Sequence, residues 1–404
     1  MPVEETPITI EEKPMTIEET PMSVEEMPMT VEETLRELVR IDSVSARPNA
    51  EIINYLAARM ERNGFSVRRF AYTDERGVEK MNMVATLGPN SSDEMVELAL
   101  VGHTDTVPYD AQAWPTALQL TEREGRLYGR GACDTKGFIA AALVAVEGLR
   151  LSSVRRSLAL VFTADEEVGC LGAKQLVEQR ALRARYSIVG EPTSLQPMRA
   201  GKGYCLAEVT VGGREAHSAY PSLGASAVFR AARLVSRLEK IAGELQAQTD
   251  AAFEPPYTTL NVGIIQGGTA KNIIAGQCRF TLEWRPVPGQ GARHVLDLLE
   301  RAIEEERARD ADYACEVRVL RLDNGMATAF DSPLVRMLEE AAAQPAGTIA
   351  FGTEAPQMAE LGAEAVVFGP GNIRVAHRTD EFVAVEDLRA CVNILARAVQ
   401  HFCL

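Results

Sequence analysis

Histidine and acidic residues recur together in short polar segments of this chain, in combinations that could bind metal ions. Two imidazoles with several carboxylates form a borderline-hard donor set, which suits zinc or cobalt better than an all-oxygen calcium or magnesium site. Two ions could be bound if they share one carboxylate, and paired ions polarise a carbonyl group and activate water near neutral pH. The residues of this set are His103, Asp105, Asp134, Glu166, Glu167, Glu191 and His377.

Two adjacent glutamates, Glu166 and Glu167, can take different roles within this set. One can bind metal while the other stays free to act as a general base toward an attacking water. Asp105 lies two residues after His103 and is expected to accept a hydrogen bond from the second nitrogen of that imidazole, which would fix its tautomer. The predicted chemistry is metal-assisted hydrolysis.

Each of these residues also has a simple structural explanation. Asp134 could cap the helix that follows it, and Glu166 with Glu167 could occupy the first turn of a helix. A single histidine at a strand end is usually a polar loop residue, and Glu191 before a proline could be solvated. The hypothesis of a site therefore depends on the conjunction of these residues, which meet in space only if their strands share one sheet.

Other catalytic chemistries have less support in the sequence. It contains no phosphate-binding P-loop motif, no dinucleotide-binding glycine motif after a strand, no nucleophile elbow and no HExxH helix. Cys133 stands beside Asp134, but no base is evident for it, and we expect a small loop or core residue.

Apolar strand-like runs alternate with helical patterns in the first half of the chain, beginning with a helix after Thr30 and Glu33, which predict a capping box. This alternation predicts an α/β domain with a parallel or mostly parallel central sheet, in which ligands bind beyond the carboxyl ends of the strands. The metal-capable residues follow such runs. Strands are predicted at 97–101, 158–162 and 186–189, and helices at 135–149 and 172–180.

Between residues 203 and 324 the pattern becomes strand, helix, strand, strand, helix, strand, which is typical of a ferredoxin-like α+β domain. We expect this smaller domain to interrupt a discontinuous catalytic domain at 30–202 and 325–404. Within the smaller domain the predicted elements are 204–211, 225–241, 258–265, 277–285, 292–306 and 315–322, and after it come a helix at 333–343, a strand at 365–368 and a helix at 385–401.

The first 29 residues form a different kind of segment. A proline at every seventh position from 7 to 28 forbids a continuous helix, so we expect an acidic, poorly ordered extension. The whole chain carries 57 acidic and 42 basic residues, which argues against nucleic acid or an anionic membrane as partner. Seven dispersed cysteines and the lack of a signal-peptide pattern predict a cytoplasmic location.

Nine segments of the sequence carry a recognisable pattern: GHTDTVPYD (102–110), LYGRGACDTKGF (127–138), TADEEVG (163–169), VGEPTSLQP (189–197), GREAHSAYPSLGASA (213–227), LNVGIIQGGTAKNI (260–273), WRPVPG (284–289), FGTEAPQMAELGAEAVVFGPGN (351–372) and AHRTDEF (376–382). Through these segments the chain resembles the M20 metallopeptidase and amidohydrolase family, with the resemblance covering essentially residues 30–404. The GTEAP segment and the GPGN…AH…DE pattern that follows it resemble the acetylornithine branch of this family. The succinyl-diaminopimelate branch usually has a serine–aspartate pair at the positions of Glu354 and Ala355. The proline-containing repeat is foreign to the family pattern.

The resemblance implies roles for the metal-capable residues. Two divalent ions would be bound, with Asp134 as the bridge, His103 and Glu191 completing one position, and Glu167 and His377 completing the other. Glu166 would be the general base, and Asp105 would orient His103. His217 in the smaller domain would reach the active site of a partner subunit and help hold the developing oxyanion.

The implied activity is hydrolysis of N2-acetyl-L-ornithine to L-ornithine and acetate in arginine biosynthesis. Asn272 and Arg285 would bind the substrate α-carboxylate, and we add the hypothesis that Glu354 meets the substrate's side-chain amine. The smaller domain would act as a lid and would join two subunits in a homodimer. Alternatives are a sister hydrolase (desuccinylase, aminoacylase, acetylcitrulline deacetylase or dipeptidase) and a catalytically silent relative, which would be expected to lose ligands that this chain retains.

Overall fold

The computed structural model describes residues 29–89 and 95–404. The predicted extension falls almost wholly outside the described residues. The helices are α1 (Val31–Arg40), α2 (Ala50–Arg62), α3 (Lys136–Glu147), α4 (Leu171–Glu178), α5 (Ala227–Leu245), α6 (His294–Arg309), α7 (Pro333–Ala342), α8 (Ala355–Glu360) and α9 (Val385–Cys403). The strands are β1 (Ser66–Thr73), β2 (Glu79–Leu87), β3 (Val96–His103), β4 (Thr121–Arg123), β5 (Arg126–Tyr128), β6 (Leu158–Thr163), β7 (Ala184–Val189), β8 (Met198–Gly201), β9 (Tyr204–Gly212), β10 (Thr259–Gly267), β11 (Gln277–Arg285), β12 (Cys315–Asp323), β13 (Met326–Ala327), β14 (Gly347–Ile349), β15 (Glu364–Val367) and β16 (Phe382–Ala384).

The first helix begins at the predicted capping box. The Glu33 main-chain N–H donates to Thr30 Oγ1 over 3.2 Å, and the Thr30 N–H donates to Glu33 Oε2 over 2.8 Å. The reciprocal bonds satisfy main-chain donors that no helical carbonyl can reach. Leu35 and Leu38 then face the core with no exposed surface.

The large sheet has the strand order β1-β2-β6-β3-β7-β15-β8-β13, with β14 paired to β8. The four central strands β6, β3, β7 and β15 run parallel to one another. However, β1, β2, β8 and β13 add antiparallel pairs at the two sides. The sheet is therefore mixed: its central strands are parallel as predicted, whereas the antiparallel strands at its two sides were not predicted.

Helices cover both faces of the large sheet. Along β3, Leu98 and Leu100 belong to a core shared with α1, α2, α3, α7 and α9, while Ala99 and Val101 face a second core shared with α4 and α8. Successive residues of a strand point to opposite faces, so a strand covered on both sides must be apolar throughout. Burying each such leucine stabilises the fold by about 1.5–3 kcal/mol relative to its exposure.

The smaller unit has its own sheet and core. The strand order is β10-β11-β9-β12, all neighbours are antiparallel, and α5 and α6 share one hydrophobic core with this sheet. Trp284, Leu234 and Leu299 are fully buried between the sheet and these helices. This is the βαββαβ order that the sequence predicted, while the domain boundaries at 203 and 324 stay a prediction.

The predicted helices and strands are all present within a few residues of their expected bounds. The sequence pattern did not reveal α2, α8, the edge strand β1 and its neighbour β2, or the short strands β4, β5, β8, β13, β14 and β16. Among the helices of the described residues, none is both long and apolar enough to cross a membrane.

Candidate metal centre

Three parallel neighbouring strands bring most of the candidate metal ligands to one edge of the large sheet. His103 is the last residue of β3, Glu166 and Glu167 follow β6, and Glu191 follows β7. Because β6, β3 and β7 are adjacent and parallel, their carboxyl ends lie side by side. The predicted convergence of these residues is therefore observed.

Asp134 and His377 reach the same place from loops. The Asp134 carboxylate lies between two imidazoles, with Oδ1 at 3.1 Å from His103 Nε2 and Oδ2 at 3.2 Å from His377 Nε2. His377 Nε2 is also 3.0 Å from Glu167 Oε2. The donor atoms of His103, Asp134 and Glu167 lie within 4.8 Å of one another, and the same holds for His103, Glu166 and Glu191.

The electrostatics of this cluster fit divalent cations. Asp134, Glu166 and Glu191 are buried, and the Glu167 side chain is only 7% exposed. Across residues 29–89 and 95–404, no lysine or arginine forms an ion pair with any of these four carboxylates. Burial, together with the neighbouring carboxylates, raises the pKa of Glu166 to about 8. Buried carboxylates are costly unless positive charge compensates them, and two divalent ions would supply it.

Asp105 makes contacts that differ from the expected ones. The nearest acceptor for His103 Nδ1 is the main-chain carbonyl of Asp105 at 3.0 Å, whereas the Asp105 Oδ1 is 3.6 Å away. The carboxylate instead accepts hydrogen bonds from the main-chain N–H groups of Glu166 and Glu167 and from the Ser45 hydroxyl. The expected hydrogen bond from His103 to the Asp105 carboxylate is thus replaced by a longer ion-pair contact, and the orienting role of Asp105 stays a prediction. Through its three hydrogen bonds the Asp105 carboxylate holds the turn that carries both glutamates.

A buried ion pair behind that turn was missed by the sequence analysis. Lys80 Nζ is 2.9 Å from Asp165 Oδ1 and also donates to the carbonyl of Ser45, while the Tyr72 hydroxyl donates to Asp165 Oδ2 over 2.9 Å. Both charged side chains are almost completely buried. The position of Asp165 directly before the glutamate pair was a usable signal, but Lys80 lies on the unrecognised strand β2.

Two cysteines lie close to the cluster. Cys133 is buried, and burial raises the pKa of its thiol well above the ordinary value, which argues against a thiolate nucleophile, as expected. Cys170 was expected only as one of the seven dispersed cysteines. Its Sγ is 3.3 Å from Glu166 Oε1, and Arg321 Nη2 of the smaller unit donates to the same sulfur over 3.3 Å. The smaller unit therefore contacts the immediate surroundings of Glu166.

Glu354 is buried beneath the cluster. The residue precedes α8, and its Oε2 accepts a hydrogen bond from Thr163 Oγ1 over 2.9 Å at the end of β6. Its Oε1 has no hydrogen-bond partner among the described residues. Burial raises the pKa of Glu354 to about 7.

The predicted catalytic residue His217 and the predicted substrate-binding residues Asn272 and Arg285 lie on the smaller unit and make no hydrogen bond to the cluster within the described part of the chain. His217 is exposed, and its Nδ1 accepts from the Ala219 N–H over 3.1 Å. Arg285 donates to Glu283 and to the carbonyl of Ala350, and its guanidinium stacks on Tyr204. Asn272 is exposed in a turn. Within this one chain, the structure does not bring these three residues to the metal ligands.

Comparison with known proteins relates both sequence and fold to one family. The family model for peptidases M20/M25/M40 matches residues 99–401. An acetylornithine deacetylase from Myxococcus xanthus is 58% identical over 372 residues, which cover 92% of this chain and 97% of that protein. An acetylornithine deacetylase from Proteus mirabilis is 34% identical over 377 residues, covering 91% and 96%.

Solved structures give the same fold at lower identity. A tripeptidase from Staphylococcus aureus superposes with a TM-score of 0.72 at 22% identity and covers 92% of this chain and 97% of its own. A dinuclear metal-binding M20 peptidase from Bacillus subtilis superposes with a TM-score of 0.64 at 15% identity, covering 92% and 98%. With the strand-end cluster of imidazoles and carboxylates, these matches establish that the chain belongs to the M20/M25/M40 peptidase family.

Proposed function

We propose that this protein hydrolyses N2-acetyl-L-ornithine to L-ornithine and acetate, as a step of arginine biosynthesis. The observation that carries the reaction type is the cluster of four largely buried carboxylates and two imidazoles at the strand ends. The substrate follows from the relative that is 58% identical over 92% of the chain and is named acetylornithine deacetylase.

The proposed cofactor is a pair of divalent ions, zinc or cobalt. Asp134 would bridge them because its two oxygens face different imidazoles. His103 and Glu191 would complete one position, and Glu167 and His377 the other. When bound, the ions supply polarisation of the acyl carbonyl and a water activated near neutral pH.

The protein's own groups would move the proton and hold the substrate. Glu166 takes the proton of the attacking water and delivers it to the leaving amine. Among the described residues, no lysine or arginine forms an ion pair with the Glu166 carboxylate, which leaves this group free for the proton. His217 of a second subunit would donate to the developing oxyanion, while Asn272 and Arg285 would hold the α-carboxylate.

We also propose that the smaller unit closes over the site and joins two chains. Strand β10 stands at the end of its sheet, so one side of its backbone lacks a neighbouring strand among the described residues. Its Ile264 and Ile265 are 59% and 51% exposed, and Phe229 at the start of the adjacent helix α5 is 71% exposed. These apolar side chains would be covered in a homodimer.

The double variant Ile264→Asp/Ile265→Asp is expected to be monomeric, because charges on both faces of β10 oppose its burial against a second copy. Light scattering should give twice the 44.0 kDa chain mass for the native protein and a single mass for the variant. A native monomer would contradict the dimer, and with it the supply of His217 by a second subunit.

A panel of three acylated substrates tests the proposed function. The purified protein, with its metal content measured, is assayed on acetylornithine, succinyl-diaminopimelate and acetylmethionine. The highest kcat/KM is expected for acetylornithine. A higher value for either other substrate would make the chain a sister hydrolase, since the chemistry is shared and only the pocket contacts differ.

A cytoplasmic location stays a prediction, and all seven cysteines are free in the structure.

The variant Glu354→Gln tests the proposed contact with the substrate amine. A charge-assisted hydrogen bond contributes about 1.5–3 kcal/mol, so kcat/KM for acetylornithine should fall roughly tenfold or more relative to that for acetylmethionine. Glu360→Gln, at the exposed last position of the helix α8 that Glu354 precedes, is the control and should leave the ratio unchanged. Unaltered discrimination in Glu354→Gln would show that Glu354 does not meet the amine.

A further inference from the structure

Glu381 is a buried carboxylate that the proposed reaction does not use. Its Oε1 accepts hydrogen bonds from the main-chain N–H groups of Cys133 at 2.9 Å and Asp134 at 3.0 Å. Its Oε2 accepts from the Gly131 N–H at 3.1 Å and from Arg130 Nη1 at 2.6 Å. Only 1% of Glu381 is exposed. One side chain therefore satisfies three main-chain donors of the loop that carries Asp134.

The same residue fixes the segment that carries His377. Glu381 follows His377 by four residues, and its own carbonyl accepts a further hydrogen bond from the Gly129 N–H at 3.0 Å. Arg130, which pairs with Glu381, is buried with its guanidinium 5.2 Å from the ring of Trp114. The loop before α3 and the segment 377–381 are thus tied together by both the main chain and the side chain of Glu381.

The candidate ligands Asp134 and His377, which Glu381 joins in this way, differ in how firmly they are held. Asp134 is buried, whereas the His377 side chain is 50% exposed and its polar contacts are to Asp134 and Glu167. His103 and Glu191, by contrast, sit at the ends of central strands that are paired on both sides. The metal position that includes His377 depends more on loop geometry than the position that includes His103.

We propose that Glu381 is a positioning residue that sets the placement of Asp134 relative to His377. It thereby controls the affinity of the metal position formed by Glu167, His377 and Asp134 more than that of the position formed with His103 and Glu191. This inference rests on the proposed two-metal centre. Contacts that orient metal ligands typically change metal affinity by 10–100-fold when they are removed.

Metal titration of the variant Glu381→Gln tests the proposal. The amide must turn its N–H₂ group either toward the Cys133 and Asp134 N–H groups or toward the Gly131 N–H group and Arg130, so the loop must shift in either case. Metal-free protein is titrated calorimetrically with Co²⁺, without substrate. The weaker of the two dissociation constants should rise by ~10-fold or more, and the stronger one should change by less than about threefold.

The matched control is Glu147→Gln at the far end of α3. Glu147 is also a largely buried carboxylate paired with an arginine, since Arg59 Nε donates to its Oε1 over 3.0 Å, but it contacts no candidate ligand. Both dissociation constants should match the native ones in this variant. If Glu147→Gln weakens metal binding as much as Glu381→Gln, the effect is general destabilisation and the proposal is wrong.

Other outcomes are equally decisive. Equal weakening of both ions, or no change in either, in Glu381→Gln would overturn the proposal, as would a native protein that binds a single ion. If Glu381→Gln does not fold, Arg130→Met replaces it, because this variant keeps the three main-chain contacts and should raise only the weaker constant. Since no substrate is present, a failure of the acetylornithine assignment would leave these results unchanged.

Discussion

Replacing Glu166 by alanine is expected to lower the turnover number for acetylornithine by at least ~10²-fold while two metal ions remain bound. The expectation follows from the position of the carboxylate, which lies within the donor cluster but has neither imidazole as a hydrogen-bond partner. A group in that position can exchange a proton with water and with the leaving amine. Steady-state kinetics check the loss of turnover, and metal analysis of the same preparation checks that two ions remain bound.

The neighbouring variant Glu167→Ala provides the control. Glu167 contacts His377, so its loss should reduce the metal content as well as the turnover. The Glu166 carboxylate also lies within 4.8 Å of donor atoms of His103 and Glu191, which makes it a competing candidate for a ligand. If Glu166→Ala loses a metal ion, Glu166 is a ligand and not the base, and retention of most activity would refute both roles.

The central strands were predictable because they are buried on both faces. Residues 96–103 and 158–163 are almost entirely apolar up to their last residues, and only a fully covered strand requires such a run. The polar residues at their ends then had to lie at the same sheet edge. For this reason the sequence alone predicts that His103, Glu166, Glu167 and Glu191 lie together.

The edge of the sheet was not predictable in the same way. Strand β1 has no fully buried residue, and its two arginines and partial exposure give no continuous apolar run. Its partner β2 carries Lys80, whose ion pair with Asp165 supports the turn beneath the glutamates. Because β2 was unrecognised, both the antiparallel edge of the sheet and the support of that turn were missed.

Long-range main-chain contacts explain the remaining differences at the site. Asp105 accepts from N–H groups about 60 positions away, and Glu381 accepts from N–H groups about 250 positions away. Side-chain types and local spacing carry no information about which main-chain donors a carboxylate will meet. Sequence reasoning therefore recovered the candidate ligands, but it did not recover the carboxylates that hold their loops in place.

Replacing Asp134 by asparagine is expected to have the second large effect, because one residue serves both proposed metal positions. The native carboxylate offers one oxygen toward His103 and one toward His377. An asparagine keeps a single oxygen, which can bind one ion. On its other side it presents an N–H₂ group, which is a hydrogen-bond donor and repels the second ion. The bound metal should fall from two ions per chain to one, and turnover should fall at least ~10³-fold, since a catalytic ion contributes several kcal/mol of transition-state stabilisation.

The shape of Asp134 is preserved in this variant, so folding and metal loss can be separated. Asp310→Asn is the control, because Asp310 also pairs with a basic side chain, that of Arg230, but lies on the smaller unit away from the candidate ligands. Metal analysis and turnover should be native in the control, while both variants should unfold as single cooperative transitions. An Asp134→Asn protein that keeps two ions and more than about a tenth of native turnover would show that Asp134 does not bridge, and the charge balance of the buried cluster would then require a different arrangement of its carboxylates.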